Sequence, residues 1–500
     1  MTNPLYEENQ SRFTQPCAVV IFGATGDLTS RKLVPALYNL LKDGQLPSQF
    51  ACVGFARRPK TDDNFRDEME EAVKKFSRTK PLDESLWKHF EEHLFYHQSE
   101  FHDDEGYFKL KQRLEEIDHR LGTKGNRIFY LATPPSYFPL ICEKLKKQNL
   151  IYPENSSAWS RVIIEKPFGH DLSTAEKLQS ELLKCLAENQ IYRIDHWLGK
   201  ETVQNLLVFR FANSLFESLW NNRYIDHVQI TVAEDLGIGT RGKFWEETGL
   251  LRDIVQNHVM QLVTLVAMEP PVSLSASAIR DEKVKVLQAM RPLEKTDVVH
   301  GQYTSGLIDG DDVIGYKQEK DVAPDSCVET FAALRLHIDN WRWSGTPFYI
   351  RSGKRLPKKS TEIAITFKDP PSVLFQHGKR KNDPNVLVIQ IQPDEGISLK
   401  INCKVPGPAS PIQPVKMDFK YGSYFGTTPP EAYERLICDA IIGDSTLFAR
   451  QDEVLLSWKL LSPVFDWWRM AEPSPYPSGS WGPDASDDLL KADGRHWRLI

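Results

Sequence analysis

Cysteine is scarce and scattered in this chain. The seven, at positions 17, 52, 142, 185, 327, 403 and 438, include no Cys-x-x-Cys pair, which argues against a structural zinc or a disulfide framework and fits a reducing compartment. No Cys/His cluster points to any other metal, so none is expected. A surplus of positive charge is also missing. The 62 Lys+Arg face 68 Asp+Glu, a formal charge of −6, so no global basic field exists to hold nucleic acid or an anionic membrane, and an anionic ligand must meet a local site. Long apolar runs are absent too: the most apolar stretch, 259–268, falls far short of the roughly 20 residues a bilayer requires. The N-terminal MTNPLYEENQSRFTQP lacks the apolar core of a signal peptide. These absences predict a soluble, cytoplasmic protein with neither nucleic acid nor membrane as partner.

What is present is 500 residues, enough for two or three domains at roughly 100–200 residues each. Through residues 17–150, short β-branched or apolar runs alternate with helical patterns, the order that builds a parallel sheet through right-handed crossovers. CAVVIF, FACVGFA, NRIFYLAT and SRVIIEK are the predicted strands. Between the first two, SRKLVPALYNLLKDG repeats leucine at helical spacing and places Gly44 at a C-terminal stop. After about residue 200 the texture changes. DHVQITVAE, CVETFAALRLHID, FYIRSG, TEIAITFK and NVLVIQIQP read as strands of a large antiparallel sheet. GLLRDIVQNHVMQLVTLVAM and PPEAYERLICDAIIG read as its accompanying helices. There is no internal repeat, and 472–486, rich in Pro, Ser and Gly, reads as an irregular tail. The predicted organisation is an α/β Rossmann-like dinucleotide-binding domain over 1–194, then a large α+β domain with a mainly antiparallel sheet over 195–500.

Several constellations carry chemistry. In AVVIFGATGDL, Gly23 and Gly26 sit at a strand-to-helix turn, where missing side chains let backbone N–H groups and a helix N-terminus approach a pyrophosphate; the alternative is an ordinary tight βα turn. Arg57 and Arg58 close the second strand where an NAD-type fold would offer a carboxylate. Two guanidinium groups suit a 2′-phosphate and favour NADP over NAD, unless they form only a solvated basic turn. RVIIEKPFG delivers Lys166 and Pro167 to the sheet's carboxyl edge, where open α/β folds bind ligands; that X-Pro bond is a candidate for the cis isomer. RIDHWLGKE gathers Arg193, Asp195, His196 and Lys200, either an anion site or a surface charge cluster. GLLRDIVQNHVMQL embeds Asp253, Asn257 and His258 among apolar residues, either a site or a satisfied core. RSGKRLPKKS holds Arg351, Lys354, Arg355, Lys358 and Lys359, most of them expected to be solvated. The Trp341/Trp343 and Trp467/Trp468 pairs are expected to be core or interface anchors.

In this order, IFGATGDL, EKPFG, RIDHWLGKE, GLLRDIVQNH and RSGK resemble the glucose-6-phosphate dehydrogenase family, as do RFANSLFESLWN, PPEAYERLICDAIIGD and GSWGPDASDDLL, so the resemblance spans nearly the whole chain. It implies an NADP⁺ domain, a large β+α domain, and glucose 6-phosphate bound in a cleft between them. C1 would be oxidised to 6-phosphoglucono-δ-lactone, opening the oxidative pentose phosphate pathway. The resemblance also implies association as a homodimer or homotetramer. By position, His258 would be the general base and Asp195 its orienting carboxylate. His196 and Lys200 fall on phosphate-binding positions, Glu234 and Asp253 on sugar-hydroxyl positions, and Lys354 and Lys359 on substrate-contacting lysines. Lys166 and Lys32 match lysines near both ligands. Gly23, Ala24, Thr25, Gly26, Asp27, Leu28 and Arg57 match the cofactor site. The family's tyrosine after Asp-His is Trp197 here, whose indole N–H would donate to phosphate in the tyrosine's place. The competing readings are a sibling acting on another hexose phosphate and a non-catalytic NADP sensor.

Overall fold

Continuous apolar runs near the N-terminus become strands buried along almost their whole length, as expected for the interior of a parallel sheet covered on both faces. The computed structural model describes residues 14–370, 383–407, 412–426, 430–469 and 471–500. They divide into two compact units, the first made of Met1–Gly199, Ser273–Arg280 and Pro430–Val454, the second of the remainder.

The first unit holds β1 (Cys17–Phe22), β2 (Phe50–Ala56), β3 (Leu94–Gln98), β4 (Arg127–Leu131), β5 (Ser160–Ile164) and β6 (Ile191–Ile194). They run parallel in the order β6-β5-β4-β1-β2-β3, with the two-residue strand Phe448–Ala449 antiparallel beside β6. Phe22 is in register with Phe55 on one side and Leu131 on the other. This is the doubly wound order predicted, and its switch point lies between β1 and β4. The first crossover helix is Val34–Lys42, with Gly44 beyond it at φ +68°. A π-helical turn, Thr29–Leu33, precedes it.

The second unit is built on β7 (Ile225–Ala233), β8 (Val298–Thr304), β9 (Phe331–Leu336), β10 (Phe348–Gly353), β11 (Ser360–Phe367), β12 (Val386–Gln392), β13 (Gly396–Lys404), β14 (Ile412–Lys420) and β15 (Ser474–Pro477). Their order is β14-β13-β12-β11-β7-β10-β9-β8-β15. Every neighbouring pair is antiparallel except β7–β10 and β8–β15, so the predicted mainly antiparallel sheet is present.

Two expectations need correction. The stretch 472–486 is no irregular tail: it supplies β15 and leads into the helix Asp484–Lys491. Pro475 and Pro477 lack an N–H, which edge strands tolerate, and the buried Tyr476 hydroxyl donates to the Lys354 carbonyl at 2.7 Å. The helix Ala432–Ile442, predicted to accompany the antiparallel sheet, belongs to the first unit, where Arg161 donates to the carbonyls of Ala440 and Ile441 at its end. Of the Trp341/Trp343 pair, expected as core or interface anchors, one member lies in the core. The Trp343 indole is buried and donates to the Ala267 carbonyl at 2.8 Å, whereas Trp341 is fully exposed.

Candidate active site

The turn after β1 is shaped by two close approaches. Gly23 has φ +88°, and a Cβ there would come within 2.3 Å of the Ala132 carbonyl oxygen beyond β4. No L side chain fits such a position. Its N–H and that of Ala24 donate to the Phe55 carbonyl (2.9 and 3.3 Å), and the Gly26 N–H donates to the Gly23 carbonyl (2.9 Å). Gly54, in the middle of β2, lets Ala24 settle onto the sheet, since a Cβ there would lie 2.8 Å from the Ala24 methyl group. The result is a tight turn at the switch point, with Gly26 and Asp27 exposed and Gly23, Thr25 and Leu28 partly so. Concave, side-chain-free backbone opening into a helix is what a dinucleotide pyrophosphate requires. Arg57 follows β2 and is exposed. Its carbonyl and that of Arg58 are held by Gln98 (3.4 Å) and the Tyr96 hydroxyl (2.6 Å), so the turn is anchored by β3. Lys32, one π turn into the following helix, pairs with Glu431 at 2.7 Å.

At the carboxyl edge of the same sheet, the Lys166–Pro167 bond is cis. Glu165 receives hydrogen bonds from the phenols of Tyr130, on β4, and Tyr433, on the helix Ala432–Ile442. Burial pushes the Glu165 carboxyl up to about 7, the phenols, Lys166 and Asp195 modifying that effect. Past β6 the chain turns through Asp195, His196 and Trp197. Asp195 is buried and accepts from the Trp197 N–H at 3.0 Å, an Asx-type bond that fixes the turn. The Trp197 indole is buried, and the His196 ring lies parallel to that of Tyr433 with centroids 6.3 Å apart.

The second unit carries the other predicted residues. Lys200 opens the helix Glu201–Phe211 and donates to the Gln392 amide oxygen at the end of β12. Glu234 follows β7, Lys354 follows β10, and these parallel neighbours bring the two side chains into an ion pair. Lys354 is buried, with its ammonium 5.0 Å above the Trp245 ring. Asp253 and His258 lie on a nine-residue π-helical segment, Leu251–Val259, which continues as the helix Met260–Ala267. π-helical turns recur at functional sites because they re-aim side chains that an α-helix would stagger. His258 is 1% exposed, Asp253 is half-buried, and the Asn257 side chain caps the His258 N–H (2.5 Å) while donating to the Arg252 carbonyl (3.1 Å).

One expectation about the basic run fails. Arg351 and Lys354 are buried rather than solvated, and Arg355 is half-buried. Arg351 lies between the Trp481 and Trp497 rings at 4.6 and 4.7 Å and serves the packing of the C-terminal segment, while Lys358 and Lys359 are exposed. Glu165, Tyr433, Gly54 and Glu431 escape the motif reading. Glu165 stands beside a residue that was singled out, but its phenol partners lie 35 and 268 positions away in sequence, so no local pattern marks it.

Comparison with known proteins bears on the whole chain. Residues 20–205 match the family model for the glucose-6-phosphate dehydrogenase NAD binding domain, and 207–498 match that family's C-terminal domain. The glucose-6-phosphate 1-dehydrogenase of Chlamydia pneumoniae is 54% identical over the full length of both chains, and that of Bacillus subtilis is 47% identical over 97% of this chain and 98% of its own. A solved glucose-6-phosphate dehydrogenase in complex with its substrate glucose 6-phosphate superposes with a TM-score of 0.90 at 39% identity, covering 97% of this chain and 99% of that one. The Mycobacterium avium enzyme gives 0.82 at 36% identity, with 97% and 99% covered.

Proposed function

This chain belongs to the glucose-6-phosphate dehydrogenase family, and from that premise we propose how its own side chains carry the family's reaction. The protein oxidises glucose 6-phosphate at C1 to 6-phosphoglucono-1,5-lactone with NADP⁺ as hydride acceptor. The carrying observation is the end-to-end match of both domain models. Gly23 to Leu28 hold the pyrophosphate of NADP⁺, and Arg57 pairs with its 2′-phosphate. The bound nicotinamide supplies the redox chemistry.

C1 surrenders hydride only as its hydroxyl proton leaves, so a base with a pKa near neutrality is needed, and imidazole has one. His258 takes that proton, and Asp195 orients the ring and stabilises the imidazolium. His196, Trp197 and Lys200 bind the sugar phosphate, Glu234 and Asp253 hold its hydroxyls, and Lys354, Lys359, Lys166 and Lys32 contact the ligands. The burial of His258, Asp195 and Lys354 supports this reading, because such groups are retained in an interior only with polar partners.

The protein acts in the cytoplasm as a homodimer or homotetramer. Among the described residues no helix is long and apolar enough to cross a membrane. The edge strand β14 exposes Val415 and Met417, with Tyr424 and Phe425 exposed just beyond it, which supports a self-association surface there. Light scattering coupled to size exclusion reads the stoichiometry.

The deciding assay follows the absorbance of reduced nicotinamide with glucose 6-phosphate, other hexose phosphates and free glucose, each with NADP⁺ and with NAD⁺. Turnover confined mainly to glucose 6-phosphate with NADP⁺ is the expected result. Preference for another sugar phosphate would overturn the substrate reading.

A further inference from the structure

The π-helical segment that carries Asp253 and His258 does not begin as helices ordinarily do. Inside Gly242–Leu250, one residue before its end, the backbone breaks at Gly249, φ +66° and ψ 174°, so the N–H groups that follow it have no preceding turn to bond. One residue meets them. Glu329, buried just before β9, accepts the Leu250 N–H on its backbone carbonyl at 3.2 Å and the Leu251 N–H on its carboxylate Oε1 at 2.9 Å. The same carbonyl accepts the Trp245 indole N–H at 3.3 Å.

Gly249 is required by this arrangement twice over. Its φ excludes ordinary side chains, and a Cβ there would stand 2.5 Å from the Glu329 Oε1. The next residue, Thr330, accepts the Lys354 N–H on its carbonyl at 2.9 Å, and the Tyr476 hydroxyl lies 3.1 Å from its Oγ1 and reaches the Lys354 carbonyl at 2.7 Å. The dipeptide Glu329–Thr330 therefore grips the start of the His258 segment with one residue and the backbone of Lys354 with the other.

We propose that Glu329 is a positioning residue for the dehydrogenase reaction: its carboxylate clamps the first turn of the π-helical segment and so fixes the placement of Asp253 and His258 relative to Lys354. The proposal rests on the reading of His258 as base and Lys354 as a substrate-contacting lysine. A buried carboxylate is costly to retain, and burial raises its pKa above the usual range, opposed by the N–H groups it accepts and by Arg252. At a helix start an anion also faces the positive end of the backbone dipoles. Any acceptor oxygen of the same reach satisfies the Leu251 N–H, so the amide of glutamine should serve in place of the carboxylate.

The test compares Glu329→Ala, Glu329→Gln and Gly249→Ala with the unmodified protein, using single-turnover hydride transfer at saturating glucose 6-phosphate and NADP⁺. A first-order rate constant is independent of the fraction of molecules folded, which a merely structural defect would change. Glu329→Ala is expected to slow transfer roughly 10–100-fold, to raise the primary deuterium isotope effect with C1-deuterated substrate, and to leave KM for NADP⁺ within about twofold. Gly249→Ala should behave likewise, and Glu329→Gln should recover to within about threefold of the parent. A Glu329→Ala transfer rate within twofold of the parent overturns the proposal, as does a Gln variant as slow as Ala. His258→Asn is run alongside. If it is fully active, the base reading fails independently of the clamp.

Discussion

His258 sits on a buried helical segment in which Asn257 caps its backbone N–H. Replacement by asparagine keeps polarity and approximate reach but removes the proposed base, so kcat should fall by about 10²–10⁴-fold, with substrate affinity, measured by equilibrium binding, nearly intact. Arg57 should act on one cofactor alone. Arg57→Ala is expected to weaken NADP⁺ by about 1.5–3 kcal/mol, the worth of a charge-assisted bond, and to leave NAD⁺ titrations unchanged, because only NADP⁺ carries the 2′-phosphate. Glu165 gives a pH signature. Its carboxyl, raised from 4.5 to about 7, holds a proton more tightly in the folded chain than in the unfolded one. Stability is therefore lost as pH climbs through the window between those values, and the cost is fully present above it. Glu165→Gln abolishes that component, so its thermal midpoint should fall less between pH 5 and pH 8 than the parent's. The difference is only part of the roughly 1.4 kcal/mol per pH unit that one proton allows, because the side chain is partly exposed. The proposed site residues come from short motifs, which is why a sequence can nominate them. The supports of such residues are not local: Arg351, in a run expected to be mostly solvated, is enclosed by Trp481 and Trp497, more than a hundred positions on, and nothing nearby announces them.

Among elements, the turn after β1 is the least tolerant. Gly23→Ala adds a methyl group 2.3 Å from a carbonyl oxygen at a φ that alanine resists. The variant should lose cofactor binding before it loses the sheet, which isothermal titration with NADP⁺ and far-UV circular dichroism read separately; the backbone strain alone is of order 1–3 kcal/mol. β1, β2, β4 and β5 are plain in the sequence because they are uninterrupted apolar runs, as in CAVVIF and FACVGFA, whereas β6, equally buried, is interrupted by Arg193 and escapes the reading. β13 and β14 escape it too, since their residues are mostly half-buried or exposed and mix lysine, glutamine and aspartate with apolar side chains. The π-helical segment was also hidden, because GLLRDIVQNHVMQL has the same apolar spacing an α-helix would show, and the break at Gly249 depends on Glu329, which lies eighty positions further on.

At the scale of the molecule, the first unit is completed late in the chain. Glu434, buried on the helix Ala432–Ile442, accepts from the Asn39 amide and the Arg78 guanidinium, each at 2.9 Å. Arg78 keeps a second carboxylate partner in Asp43, so the loss is that of the buried hydrogen bonds: Glu434→Ala should lower stability by about 1–3 kcal/mol, measured as a shift in the urea midpoint, with Glu434→Gln between it and the parent. The change of texture near residue 200 suggests two successive domains, but nothing in the sequence signals that 430–454 returns to the first unit; a helix pattern does not say which neighbour it packs against. That return has a consequence for how the protein is made. A ribosome adding roughly 5–20 residues per second finishes Gly199 and then needs roughly 10–50 s more before Val454 emerges to close the sheet edge beside β6. Throughout that interval the nascent Rossmann-like half has β6 unpaired on one side and Asn39 and Arg78 without the Glu434 carboxylate, Arg78 keeping only Asp43, a state in which a chaperone has its longest opportunity to bind.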